Sequence, residues 1–404
     1  MKKFLFWATV VGASLTSCVN DNEVVQTAED NPQTVTFEVA KYKPSSRADG
    51  NSQTATDGSD SHGHVAFSTQ ETFGTFAWEA NGHGATHTPF MENTKISYVG
   101  NVWVGTDKPY FWPSEKTAHI DFISYYPYGT VGTDAWVPTI TESKQGNADY
   151  NKLYYSNYTV DGKDLMFSDK AHLQTTNHET HYTMGVPTLF RHALAKLNFM
   201  VASKYSTTTD GGQTTYWNVK VNSITIGNIR NKGSITFVTD APLQGSTAMT
   251  SEWRIENLDK DDPKVWNFAA GYAPVQTWTR SNGHVLPALD PSKANGGYEI
   301  FGEGTGKAEN FMILPQSIEE AGQYINIVYT ISSRASLTGD WKNEELFDKT
   351  FTFYELIKKG TSVSNWEMGK NIIYKILIDP KGDLINFDPA VVEWETIDGG
   401  AIGA

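Results

Sequence analysis

Apolar and polar positions alternate with period two along much of the chain. The first clean case is Thr34-Val35-Thr36-Phe37-Glu38-Val39-Ala40, with Val35, Phe37 and Val39 on one face and Thr34, Thr36 and Glu38 on the other. That alternation predicts a half-buried strand. Residues 43–63 then lose all pattern among Pro, Ser, Gly, Asp and Asn, a long polar loop with Arg47 near its start. From about Val65 short strand-like runs follow at 75–78, 95–104, 120–126, 164–167 and 194–202. Residues 217–229 read as two alternating stretches, Val219 with Val221 and then Ile224 with Ile226, and 233–238 follow. A polar stretch at 239–263, broken by Pro242 and Pro263, marks the expected domain boundary. Beyond it lie runs at 266–269, 298–301, 310–314, 324–332, 349–354, 371–378, 384–387 and 391–394. Segment 190–201 could form a short amphipathic helix, but its flanks suit a strand better. Long helices are absent from the pattern, and the spacing predicts an all-β sandwich or barrel.

The N-terminus has a different character. Lys2 and Lys3 precede a mostly apolar stretch, 4–15, of signal-peptide length. It falls short of the roughly 20 apolar residues of a membrane-spanning helix. The stretch closes on Leu15-Thr16-Ser17-Cys18, which resembles the lipobox of bacterial lipoproteins, so 1–17 is expected to be removed and Cys18 acylated. Cys18 is the only cysteine in 404 residues, so no intramolecular disulfide can form and the fold rests on its core. Residues 19–33 read as a polar tether.

Composition narrows the function classes. Aromatic residues make up 13% of the chain and charged residues 19%, a bias toward β-structure. A net charge of −14 with six arginines argues against nucleic acid or an anionic lipid surface as partner.

Candidate chemistry is sparse. His172, His178 and His181 share a polar stretch near His192, but His178-Glu179-Thr180-His181 departs from the H-E-x-x-H spacing, and the stretch reads as a solvated loop. His62 and His64 fall in the Gly/Ser/Asp loop and read the same way. There is no G-x-S-x-G elbow, no cysteine nucleophile and no triad spacing. Segment 257–262 lacks the glycine and terminal glutamate of a calcium loop. Gly306-Lys307 is followed by Ala308 where a phosphate loop needs Ser or Thr. No catalytic, cofactor or metal site is expected, and the chain does not read as an enzyme. Trp103, Trp112, Tyr125, Tyr126, Tyr128 and Trp136 could line a carbohydrate platform, although aromatics in strands more often fill cores or pair across strands.

Several segments together resemble the fimbrillins of Bacteroides-type bacteria, the subunits of the type V pilus. Tyr110-Phe111-Trp112-Pro113 followed by Asp121-Phe122-Ile123-Ser124-Tyr125-Tyr126-Pro127 is similar to that family's Trp-Pro and aromatic Tyr-Tyr-Pro segments. Phe190-Arg191-His192-Ala193-Leu194-Ala195-Lys196-Leu197 resembles its F-x-H-A-L-A-K-L strand and is the most specific match. Leu314-Pro315-Gln316, and Trp366 with Gly369, Lys370, Tyr374 and Trp394, resemble its second domain and C-terminal end.

The resemblance implies two tandem transthyretin-like β-sandwich domains after a lipoprotein signal peptide. It divides the chain into signal peptide 1–17, acylated tether and removable first strand 18–47, N-terminal sandwich 48–245 completed by strand 34–40, and C-terminal sandwich 246–404 with a donor strand. It also implies delivery to the outer membrane through the lipid on Cys18. A surface Arg-specific protease would then cut between Arg47 and Ala48, Arg47 being the only arginine before Arg191. Loss of Val35, Phe37 and Val39 would open a groove for a strand of another subunit, since an unpaired edge is a template for pairing. The expected partners are other pilus subunits and a host or bacterial surface receptor. The alternative is a monomeric outer-membrane lipoprotein that binds glycans through exposed aromatics.

Overall fold

Among the described residues the expected alternation becomes strand. The computed structural model describes residues 33–41, 65–81, 88–113, 118–140, 153–168, 170–174, 185–237, 267–268, 273–301, 311–318, 322–336, 338, 347–357, 365–382 and 384–393. In chain order the strands begin with β1 (Phe37–Lys41), β2 (Val65–Ala66), β3 (Phe73–Asn81), β4 (Thr88–Val99), β5 (Val102–Gly105) and β6 (Ala118–Tyr126). They continue with β7 (Thr139–Ile140), β8 (Leu153–Thr159), β9 (Met166–Ser168), β10 (Ala171–Gln174) and β11 (Val186–His192). Next come β12 (Ala195–Ser203), β13 (Thr207–Asp210), β14 (Gln213–Ile229), β15 (Lys232–Phe237), β16 (Asn267–Phe268), β17 (Ala273–Val285) and β18 (Glu299–Ile300). The last are β19 (Phe311–Ile313), β20 (Gln316–Ser317), β21 (Tyr324–Arg334), β22 (Phe347–Leu356), β23 (Asn365–Trp366), β24 (Lys370–Asp379) and β25 (Leu384–Glu393).

The first sheet runs β10-β6-β3-β4-β5-β1-β11-β9, with β2 on β1. β9 also pairs with β6, through Tyr125↔Phe167 and Tyr126↔Met166, so the sheet rolls closed. Its inner face holds an aromatic core that includes Phe37, Phe67, Phe73, Trp103, Phe122 and Phe190. The second core lies between two sheets, β18-β12-β24-β25 with β19 on β12, and β13-β14-β21-β22 with β17 on β14. It is dominated by isoleucines, among them Ile224, Ile226, Ile325, Ile327, Ile372 and Ile376. A third cluster sits at the junction, combining Ile123, Tyr125, Tyr155, Tyr158 and Phe167 with Ala193, Leu194, Met312 and Met368.

Two pattern readings resolve into specific devices. The phase break in 217–229 is a β-bulge: β14 pairs Val221↔Tyr329 and then Ser223↔Val328, and Asn222 Nδ2 donates to Thr330 Oγ1 at 2.9 Å. An extra residue on one strand of a pair restores the inward phase after it. Segment 95–104, expected as one run, is instead the hairpin of β4 and β5, because Gly100 (φ 59°) and Asn101 (φ 69°) form a tight turn. Both central residues at positive φ match the twist of the flanking strands.

Segment 190–201 is strand, and it links the two cores. β11 lines the first core and β12 the second, separated only by the bend at Ala193-Leu194. Residues 188–203 are buried throughout. Side chains of the second core begin at Ala195, and β15 pairs with β8. The polar stretch 239–263 lies outside the described residues. The chain passes from one core to the other inside a buried run.

The crossing holds its polar groups in pairs. His192 Nδ1 lies 2.8 Å from Asp164 Oδ1, and Asn198 Nδ2 donates to Asn371 Oδ1 at 2.6 Å. Burial lowers the Lys196 ammonium below its ordinary pKa, partly opposed by Asp164.

Candidate strand-exchange site

The period-two segment near the N-terminus enters the first sheet in its middle. Its start pairs with the chain after β5: Val35 N–H donates to the Tyr110 carbonyl at 2.8 Å, and Trp112 N–H donates to the Gln33 carbonyl at 3.0 Å. β1 then runs parallel to β11 from Phe37↔Val186 to Lys41↔Phe190. On its other flank it meets β5 at Phe37↔Trp103 and β2 at Ala40↔Ala66 and Lys41↔Val65. β9 pairs with β11 only from Phe190 onward, so Val186 to Leu189 depend on β1 for their ladder among the described residues.

The side chains follow the alternation. Val35 is 1% exposed and Phe37 4%, and Val39 packs partly buried on the same core. Phe37 stands edge-on to Phe73 and to Phe122, each at 5.9 Å between ring centroids. Edge-to-face contact satisfies the ring quadrupoles and adds to the burial. The structure therefore brings Val35, Phe37 and Val39 together on the first core. Cys18, Arg47 and Ala48 lie outside the described residues.

Close approach at this site requires a glycine. Gly185 has φ +87°, and a Cβ there would lie 2.8 Å from the Phe37 carbonyl carbon and 2.9 Å from Glu38 N. No L side chain suits that backbone conformation. Opposite, the Tyr110 hydroxyl donates to Asp107 Oδ2 at 2.9 Å and shares a 2.8 Å hydrogen bond with Thr94 Oγ1. Burial pushes its pKa up.

The C-terminal strands differ in how they are held. β24 is flanked on both sides, parallel to β12 from Lys196↔Asn371 to Ser203↔Ile378 and antiparallel to β25. β25 pairs with β24 alone and ends its sheet. Segments 384–387 and 391–394, read as separate runs, join into this one strand across Pro389, and proline is tolerated at an edge.

The aromatics read as more often core than carbohydrate platform are dispersed. Trp103 and Trp112 sit in the first core and Tyr125 in the junction cluster. The Tyr126 hydroxyl donates to Glu71 Oε2 at 2.8 Å, and Lys163 covers Trp136, its Nζ 4.1 Å from the ring centroid. His172, read as part of a solvated loop, is instead in β10 and bonded to Asp121. A short run with two core-facing residues, Ala171 and Leu173, was too brief to register as strand. His178 and His181 lie outside the described residues. Among the described residues one group could hold a metal, His119, Asp121 and His172, on the outer face of β6 and β10, away from the groove.

The sequence model of a family described as fimbrillin-like matches residues 46–394. A fimbrial protein from Bacteroides vulgatus superposes with a TM-score of 0.53 at 18% identity, covering 90% of this chain and 100% of that one. A Bacteroides uniformis protein described as a candidate for cell adhesion gives 0.41 at 14% identity, covering 92% and 100%. The fimbrial anchor protein Mfa2 from Porphyromonas gingivalis gives 0.27 at 10% identity, covering 90% and 98%. No curated protein matches the chain.

Proposed function

The chain belongs to the fimbrillin-like family, and from that premise we propose that it is a structural subunit of a cell-surface fimbria, polymerised by exchange of its first strand. One observation carries this reading: segment 33–41 is bonded on both flanks in mid-sheet and fills the first core, while the loop that follows it carries Arg47. A cut between Arg47 and Ala48 would leave β1 attached only by its ladders and side chains. Its departure would expose the edges of β5 and β11 and uncover the surface under Val35, Phe37 and Val39. Refilling that surface returns roughly 1.5–3 kcal/mol per apolar side chain, besides the backbone ladder.

The best-suited donor is β25 of a neighbouring subunit. It is an edge strand, and Ile385, Phe387 and Val391 fall on one period-two face, as Val35, Phe37 and Val39 do, with Pro389 between the second and third. β24 is less suited because withdrawing it would split its sheet. In this reading the precursor arrives as a lipoprotein acylated at Cys18 in the outer membrane, and a surface Arg-specific protease releases lipid and first strand together. Other fimbrial subunits are its assembly partners, and adhesion to a host or bacterial surface is the purpose of the polymer. A glycan-binding monomer is disfavoured because Trp103, Trp112 and Tyr125 are buried.

The test is limited digestion of purified precursor with an Arg-specific protease. We expect one early cut after Arg47, loss of the 18–47 fragment, and an SDS-resistant ladder. Arg47→Ala should block cut and ladder together, and truncation after Pro380 should permit the cut but abolish the ladder. A cleaved chain that keeps its first strand and stays monomeric under these conditions overturns the proposal.

A further inference from the structure

We propose that His119, Asp121 and His172 form a binding site for a divalent transition-metal ion of the zinc class, on the outer face of the first sheet. The strands dictate the constellation. β6 and β10 are antiparallel with Asp121 directly opposite His172 and His119 opposite Gln174. Residues two apart on a strand share a face, so His119 and Asp121 lie on one side of β6. Ile120 and Phe122, with Ala171 and Leu173 of β10, take the other side and enter the first core. The three donors are thus fixed on the face of two neighbouring strands turned away from the first core, and each stands on a strand.

Their geometry is close to what a metal needs. Each residue offers one ligand atom, and all three atoms lie within 4.8 Å of one another. Zinc bonds of about 2.0–2.1 Å put tetrahedral ligand atoms about 3.4 Å apart, so side-chain rotations suffice. His172 Nδ1 already lies 2.5 Å from Asp121 Oδ1, and the His119 and His172 rings are 4.5 Å apart between centroids.

Burial grades the site from a fixed base to an open mouth. Asp121 is 1% exposed, whereas the His172 side chain is 31% exposed. Trp78, paired with Asp121 across β3, is buried on the other flank. Two imidazoles with one carboxylate suit zinc, cobalt or nickel better than calcium or magnesium, which prefer all-oxygen shells. Three protein ligands leave a fourth position for water or a group from another molecule. A bound ion would clip β10, which ends the sheet order, onto β6.

The experiment uses the full chain without an affinity tag, stripped with chelator and titrated with zinc chloride in a calorimeter. One ion per chain is expected. Cobalt(II) should give the intense visible bands of a four-coordinate site. His119→Gln and His172→Gln, checked for native circular dichroism, should each lose the zinc heat and the cobalt bands. The double variant His178→Ala/His181→Ala should keep both. Absence of zinc binding by the wild-type chain overturns the proposal, as does undiminished binding by the His119→Gln/His172→Gln double variant.

Discussion

The two cores of this molecule solve the same packing problem in opposite ways. The second is built from long strands, β14 of 17 residues with its bulge and β21 of 11, and half of its buried side chains are isoleucine. The first is built from shorter, interrupted strands, closes on itself, and is filled by aromatic rings meeting edge to face. β-Branched side chains suit a flat, regular interface between two sheets, whereas large rings span the uneven interior of a rolled sheet. The first core also depends on a nine-residue segment, 33–41, held in mid-sheet by ladders to β11, β5 and β2. The second keeps its terminal strand at an edge. A piece can leave the second core from its rim; a piece leaving the first comes out of its middle.

Substitution can break this contrast where it is sharpest. Phe37→Ala should cost about 3–5 kcal/mol and unfold the first unit at lower urea concentration, with hydrogen exchange at β21 amides unchanged. Equal loss of protection in both units would show that the cores are not separable. Gly185→Ala should cost about 1–3 kcal/mol from crowding against the Phe37 backbone, with a further penalty for its positive φ. Exchange should rise first at the amides of β1 and β11. In the second core, Tyr374→Phe removes the acceptor of the Trp366 indole N–H, which donates to the Tyr374 hydroxyl at 2.8 Å. Leaving that buried donor unsatisfied should cost about 1–3 kcal/mol, read as a fall in thermal midpoint. Ile327→Val should cost only about 0.5–1.5 kcal/mol, since a regular aliphatic interface has many equivalent contacts.

Alkaline pH sharpens the same comparison at the junction. Burial raises the phenols of Tyr125, Tyr155 and Tyr158 above their ordinary pKa, and that of Tyr374 in the second core. A raised folded pKa means the unfolded chain ionises first. Stability is therefore intact below the ordinary phenol value of about 10 and falls as pH rises beyond it. With three such groups in the junction cluster against one in the second core, tyrosinate absorbance and unfolding should appear there first.

Much of this architecture was readable from residue order, because period-two alternation reports which face a residue takes. Segment 34–40 was legible for that reason, and so was the bulge at Asn222, where the alternation changes phase. Alternation does not report a partner. Nothing in Val35, Phe37 and Val39 says that their strand lies parallel to Val186–Phe190 or sits in mid-sheet. β17 escaped notice because Pro, Asn and Gly interrupt its sequence, and its pairing to β14 supplies the order that its own pattern lacks. The group of His119, Asp121 and His172 was invisible because its members are separated by 51 residues between Asp121 and His172 and meet only through strand register. Gly185 could have been suspected only once its neighbour in space was known.

The buried crossing from β11 into β12 has a mechanical consequence. Tension between the first unit and the second passes along one unbroken run of backbone, with only the bend at Ala193-Leu194 in it. That run lies parallel to β1 in the first unit and to β24 in the second. Strands pulled lengthwise past parallel neighbours load all their ladder bonds at once, in shear, instead of opening them one by one. The subunit is therefore strung as a single stiff member, and its extensibility is that of a sheet sheared along its strands, not of two beads joined by a thread.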